Sequence, residues 1–196
     1  VEDGSAIYIP ENYFKEKVGE KIKKYEVIIL SVEIKEILKD LKELKKFYRI
    51  KGFHDLAPSE ISKITGLDLK LAEFAKKREF SETLVEVEEE AIKKLKEKYN
   101  VVIGGKFFHV FGKKADKGKA VRILKKLYEK NFKEKIIPIG IGNSYTDEAM
   151  LKEVDIPVLV KNPDGKWADI KLKNIYKTQG IGPSGWVEAI RKITGV

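Results

Sequence analysis

Within residues 136–151, an apolar run (Ile136, Ile137, Ile139, Ile141) stops at Gly142 and gives way to Asn143, Ser144, Thr146 and Asp147. These oxygen-bearing side chains are crowded into the start of a helix. Such a group suits a hard cation, because Mg²⁺ takes carboxylate and carbonyl oxygens and often shares the phosphate of a substrate. The apolar run reads as a buried strand. Open α/β sheets place ligands at a strand, tight polar turn and helix, beyond the carboxyl ends of the strands. Asn, Ser and Asp are also ordinary helix caps. A capped helix with no chemistry accounts for the same residues.

The elements that must hold this turn alternate along the chain. Residues 5–10 and 26–31 read as strands. An amphipathic helix over 32–48 keeps Ile34, Ile37, Leu38, Leu41 and Leu44 on one face. Residues 53–58 are loop, Ser59 caps a short helix that stops at Gly66, and 68–77 form another helix. Residues 82–87 alternate as a strand and 88–99 are helical. Residues 101–111 read as two strands joined at Gly104-Gly105. Asp116 starts a helix that runs to about Asn131, 156–160 is a further strand, and 185–193 a closing helix. Order and composition predict an α+β module over 25–102 inserted into a βαβ core made of 1–24 and 103–196.

Composition bounds the rest. The chain has 196 residues, 36% of them charged, and a net charge of +9. The lysines are spread through helical segments, as in Lys93, Lys94, Lys96 and Lys98 around Glu97, which places most of them on solvated faces. High Lys and Glu content with no cysteine and a single methionine is a thermophile-type composition. No disulfide framework is possible, which favours a cytoplasmic setting. No signal peptide is visible, and no apolar run is long enough to cross a membrane. The chain opens at Val1, without a starting Met, at the approach to a strand, as a fragment or a processed chain would.

Residues 142–155 and 158–165 resemble the fourth motif and following strand of haloacid-dehalogenase (HAD)-type phosphatases. Five further segments are similar to one branch, the mannosyl-3-phosphoglycerate phosphatases: residues 2–10, 78–83, 104–109, 116–120 and 182–186. The resemblance covers nearly the whole chain. It implies an α/β fold, a Rossmann-like HAD core, incomplete at its N-terminus, with an inserted α+β cap. The implied activity is Mg²⁺-dependent hydrolysis of a glycosyl-3-phosphoglycerate through an aspartyl-phosphate. The partner it implies is a small phosphorylated sugar-glycerate.

Residue by residue, the resemblance places Lys117 as the lysine that offsets charge on nucleophile and phosphate. It places Asn143 and Asp147 at metal-ligand positions. Arg78, Ser81, Glu82, Thr83, Lys106 and His109 match cap positions expected to meet glycerate and sugar, where Arg and Lys suit a carboxylate and the others suit hydroxyls. Three departures stand out. Asn143 replaces an aspartate, which removes one negative charge from the metal site. Thr146 replaces an asparagine. No Asp-x-Asp nucleophile motif occurs in these residues, so the expected nucleophile lies outside the chain and the chain by itself is expected to be inactive.

Plainer readings stand beside these. Lys117 sits among Lys113, Lys114, Lys119, Lys125 and Lys126, where a solvated lysine is the default. His109 suits packing as well as substrate contact, and Arg78 and Glu79 suit an ordinary surface pair. His54 receives no role. Trp167 and Trp186 read as packing residues. Two other functions compete: an inactive or regulatory relative of the phosphatases, and a nucleic-acid binder drawn by the +9 charge. The second lacks interleaved aromatic and basic residues and any zinc or helix-turn-helix spacing.

Overall fold

The protein was analysed as a computed structural model, which describes residues 1–195. Its internal contacts divide the chain into two units. The first contains Val1–Tyr8 and Gly19–Ala115, and the second Ile9–Val18 and the residues from Asp116 onward.

The first unit is built on an antiparallel sheet of strands β4 (Ile50–Gly52), β5 (Ser81–Val87), β6 (Tyr99–Gly104) and β7 (Phe107–Gly112), in the order β4-β5-β7-β6. Helices α1 (Ile34–Leu44) and α4 (Glu89–Lys98) supply one core, with Ile37, Leu41, Leu84, Leu95, Tyr99 and Val110 buried together. The spacing of Ile34, Ile37, Leu38, Leu41 and Leu44 gives α1 the apolar stripe that this packing requires. Each large aliphatic residue so buried contributes about 1.5–3 kcal/mol. Helices α2 (Pro58–Thr65) and α3 (Leu69–Lys76) pack around Phe53, Leu56, Ile61 and Ala72. Strands β1 (Ala6–Pro10), β2 (Glu20–Ile22) and β3 (Tyr25–Ile29) form a separate sheet in the order β1-β3-β2.

The second unit carries a parallel sheet of β8 (Ile139–Gly142), β9 (Ile156–Lys161) and β10 (Tyr176–Ile181), in the order β10-β9-β8. Helices α5 (Lys117–Phe132), α6 (Glu148–Leu151) and α7 (Pro183–Thr194) belong to it. Leu151, Val158, Leu159, Ile170 and Ala189 are buried. Residues 9–18 join this unit through Phe14, whose ring meets Tyr128 edge-on at 5.4 Å between centroids, and through Glu16, whose carboxylate lies 2.7 Å from Lys130 Nζ.

Several elements differ from the sequence reading. The contacts set the change of unit after Ala115, not at 102/103, because β7 is hydrogen-bonded between β5 and β6 and cannot be separated from them. Strand β8 begins at Ile139, not Ile136. Pro138 has no N–H to give a ladder, and its carbonyl instead accepts from Asp155 and Ile156. Since β8 is an edge strand, Ile137 and Ile139 are exposed and the run is only partly buried. Helix α2 is capped at Ala57, not Ser59: Pro58 takes the first helical position, and Glu60 Oε2 accepts the Ala57 N–H at 2.7 Å. Strands β2, β4 and β10 are additional to those that the sequence pattern indicates.

Candidate active site

The turn after β8 is tight because Gly142 has no side chain: a Cβ there would stand 2.4 Å from Asp147 Cβ. That closeness lets Asp147 fold back over the strand end. Its Oδ2 accepts the N–H of Asn143 at 3.0 Å, the N–H of Ser144 at 3.2 Å and the Ser144 hydroxyl at 3.2 Å. Its Oδ1 accepts from Lys117 Nζ at 2.9 Å. The same ammonium reaches Thr146 Oγ1 at 3.4 Å.

Lys117 is the first residue of α5, and Asp116 caps that helix by accepting from Gly118 N at 2.8 Å and Lys119 N at 3.1 Å. Asn143 donates through Nδ2 to Asn162 Oδ1 at 2.7 Å, and Asn162 Nδ2 donates to the Asn143 carbonyl at 2.9 Å. The loop after β9 is thereby tied to the loop after β8.

The electrostatics follow from these partners. Burial alone pushes the Asp147 carboxyl up. The Lys117 ammonium and the two backbone amides outweigh it, and the carboxyl titrates below its ordinary range. Asp147 and Lys117 keep 14% and 25% of their side-chain surface, so the pair is shielded yet open to a small anion. Lys117, Asn143 and Asp147 are thus together at the carboxyl end of β8.

The other predicted residues lie in the first unit. Arg78 Nη1 donates to Ser81 Oγ at 3.0 Å, and Ser81 donates to Glu2 Oε2 at 2.6 Å. Glu2 also accepts the N–H groups of Glu79 at 2.9 Å and Phe80 at 3.0 Å. The Arg78 Nε is buried and has no partner among the described residues. Glu82, 1% exposed, is held by His54: its Oε1 accepts the His54 N–H at 3.3 Å and its Oε2 meets His54 Nδ1. Thr83 is buried opposite His109 in the β5–β7 ladder, with a long contact of 3.4 Å from Oγ1 to Nδ1. Lys106 is exposed in the β6–β7 turn.

Sequence reasoning missed His54, Glu2 and Asn162. An Asn-Pro-Asp-Gly turn directly after an apolar strand was a usable signal for Asn162. Nothing local marks His54 as the partner of a residue 28 positions away.

Asn143 and Asp147 alone do not fit Mg²⁺. Asp147 is the cluster's only carboxylate and both of its oxygens are engaged, whereas the ion prefers a near-octahedral oxygen shell with carboxylates in it. Among the described residues no group of three His, Cys, Asp or Glu side chains is placed to hold a metal.

A family model described as sucrose-6F-phosphate phosphohydrolase matches residues 7–193. The chain belongs to that family. A glucosyl-3-phosphoglycerate/mannosyl-3-phosphoglycerate phosphatase of Persephonella marina is 37% identical over 200 residues, covering 98% of this chain and 74% of the relative. Its counterpart in Methanococcoides burtonii is 40% identical over 206 residues, covering 99% and 75%. A mannosyl-3-phosphoglycerate phosphatase of Pyrococcus furiosus is 38% identical over 163 residues, covering 82% and 66%.

Two solved structures from Bacteroides thetaiotaomicron share the fold at a TM-score of 0.51 each. One, from a study of HAD-superfamily phosphatases, is 14% identical and covers 89% of this chain and 70% of its own. The other, a haloacid dehalogenase-like hydrolase, is 20% identical and covers 86% and 70%. The fold is therefore the α/β HAD fold, and the family resemblance read from the sequence motifs holds. Among the described residues no helix is long and apolar enough to cross a membrane.

Proposed function

We propose that this protein removes the phosphate from mannosyl-3-phosphoglycerate or glucosyl-3-phosphoglycerate, leaving the glycosylglycerate, in the cytoplasm. One observation carries the reading. In a chain 37–40% identical to such phosphatases, a lysine and a low-pKa carboxylate meet at the carboxyl end of a parallel strand. The ammonium of Lys117 offsets the charge of a phosphate dianion, and phosphoryl transfer depends mainly on such positioning and charge neutralisation. Asp147 holds that ammonium in place, and Asn143 and Ser144 fix Asp147.

In this reading the unit from Asp116 onward, with 9–18, is the core and the other unit is the cap. Arg78, with a free Nε, is the partner for the glycerate carboxylate. Lys106 is a second cation for the same group. Ser81, Glu82 and Thr83, buried along β5, act on recognition of hydroxyls indirectly, as the frame beneath the site, with His109 opposite Thr83 on β7. Mg²⁺ is the metal the family resemblance implies, and Asn143 and Asp147 would hold it only together with further carboxylates from outside the described residues. The reading also needs an aspartate nucleophile. No Asp-x-Asp occurs in residues 1–196.

The second reading, an inactive or regulatory relative, is favoured by Asn143, which stands where the resembled motif has an aspartate. One assay separates the two. The full natural polypeptide, incubated with mannosyl-3-phosphoglycerate and Mg²⁺, should give stoichiometric mannosylglycerate and inorganic phosphate. Absence of both products from the mannosyl and glucosyl substrates would establish the inactive relative.

A further inference from the structure

The turn after β8 and the loop after β9 are joined by two side-chain amides. Asn162 Nδ2 donates to the Asn143 carbonyl at 2.9 Å, and Asn162 Oδ1 accepts from Asn143 Nδ2 at 2.7 Å. A main-chain carbonyl can only accept, so the Asn162 amide must turn its nitrogen toward it. The Asn162 oxygen then faces the Asn143 side chain, which answers with its own nitrogen. One carbonyl thus sets both amides, and the amide at position 143 supplies a donor that a carboxylate would lack.

The Asn143 carbonyl and the Ser144 N–H belong to one peptide unit. That unit is planar and trans, so its carbonyl and its N–H point in opposite directions. Asn162, by holding the carbonyl, aims the N–H at the other side, where it meets Asp147 Oδ2 at 3.2 Å. The other oxygen of Asp147 accepts from Lys117 Nζ at 2.9 Å. A continuous series of hydrogen bonds therefore runs from Asn162, through this peptide and Asp147, to the Lys117 ammonium.

Asn162 is itself well anchored. It follows Val158, Leu159 and Val160, all buried in β9, the central strand of its sheet, whereas β8 is an edge strand. The Asn162 N–H donates to the Lys166 carbonyl at 2.8 Å, and the Asn162 carbonyl accepts from Gly165 N at 2.9 Å. Gly165 closes this loop at a φ of +76°, a conformation that glycine adopts freely. With its backbone tied on both sides, the side chain projects from a fixed base, and the firmness of the central strand passes to the turn at the edge. We infer that Asn162 is a positioning residue for Lys117 and Asp147, acting through the Asn143–Ser144 peptide. The inference rests on the phosphatase reading above for the reaction that this pair serves.

Two variants of the full natural polypeptide test it. Asn162→Ala removes both amide contacts. Asn162→Asp exchanges only the donor nitrogen for an oxygen, which repels the Asn143 carbonyl. Amide hydrogen exchange, followed by ¹⁵N nuclear magnetic resonance, reads the peptide directly. In both variants the Ser144 N–H should exchange about tenfold faster than in the wild type, while the amides of Val158 and Leu159 keep their protection. With mannosyl-3-phosphoglycerate, kcat should fall about ten- to a hundredfold, the scale of a catalytic group held ~1 Å out of place, and KM should stay within a few-fold. Unchanged exchange at Ser144 in both variants would overturn the inference, whatever the rates. Faster exchange at Ser144 with kcat unchanged would overturn it too, and so would a loss of protection spread through β8 and β9, which marks a merely structural residue. If the wild type turns over neither the mannosyl nor the glucosyl substrate, the phosphatase reading fails, and the exchange at Ser144 still decides whether Asn162 sets the turn.

Discussion

The turn after β8 and the Ser81-Glu82-Thr83 row of β5 are both polar, and the structure treats them in opposite ways. At the turn, a carboxylate and an ammonium sit at a strand end with part of their surface open. In β5 all three side chains are buried, at 0%, 1% and 1% exposure, and their polar atoms are spent on neighbours. Arg78 and the Glu2 carboxylate serve Ser81, and His54 holds Glu82. A polar residue gains chemistry when its partners leave it a free side. When burial closes it off on every side, it gains rigidity instead. By that measure we place Lys117 and Asp147 in the proposed reaction, and Glu82, held by His54, in the frame of the β5 row.

The contrast is broken most severely by replacing Lys117 with Ala. The loss of one transition-state charge contact should cut kcat by about two to four orders of magnitude, read by phosphate release from mannosyl-3-phosphoglycerate. An unchanged kcat would place the reaction elsewhere.

His54→Ala should act on stability and not on kcat. It leaves the Glu82 carboxylate buried without its main partner, which costs up to about 3 kcal/mol after allowing for the partial exposure of His54. A denaturant titration reads this loss. A large fall in kcat with unchanged stability would move Glu82 from the frame into the reaction.

Arg78→Ala should raise KM about tenfold and leave kcat within a few-fold, because a carboxylate contact is made in ground and transition state alike. Initial rates over a range of substrate concentrations separate the two parameters.

The smallest effect expected is a pH dependence. The Asp147 carboxyl is held below its ordinary value by Lys117 and the turn amides. Its stabilising contribution is therefore complete above the unfolded carboxylate value of about 4 and is lost as pH falls through the lower folded value. Acid unfolding of the wild type compared with Asp147→Asn should show a difference at neutral pH that vanishes at low pH. Parallel curves would show that the ion pair adds no stability.

Legibility in the sequence followed the range of the interactions. The turn could be read because its chemistry is local: Gly142, Asn143, Ser144 and Asp147 satisfy one another within a few positions. The α1 stripe and the β6–β7 hairpin are local in the same sense. The Glu82–His54 pair spans 28 residues and joins two elements that the sequence gives no reason to associate. Strands β2 and β4 have three residues each, too few to establish an alternation. Strand β10, Tyr-Lys-Thr-Gln-Gly-Ile, carries little apolar pattern and is held by pairing with β9. The division after Ala115 is hidden in the sequence for a related reason. The hairpin turn at Gly104-Gly105 is visible, but the pairing of β7 with β5 is not. Trp186 looks identical to Trp167 in sequence, and only exposure separates them: Trp186 is 52% exposed and Trp167 half-buried.

The turn after β8 is the proposed seat of the phosphate, and nuclear magnetic resonance tests that without relying on turnover. Inorganic phosphate titrated into the ¹⁵N-labelled full natural polypeptide, with Mg²⁺ present, should shift the amide resonances of Asn143 and Ser144 and the ammonium signal of Lys117 together and saturably. Saturable shifts confined to other residues, with these three unmoved, would contradict it.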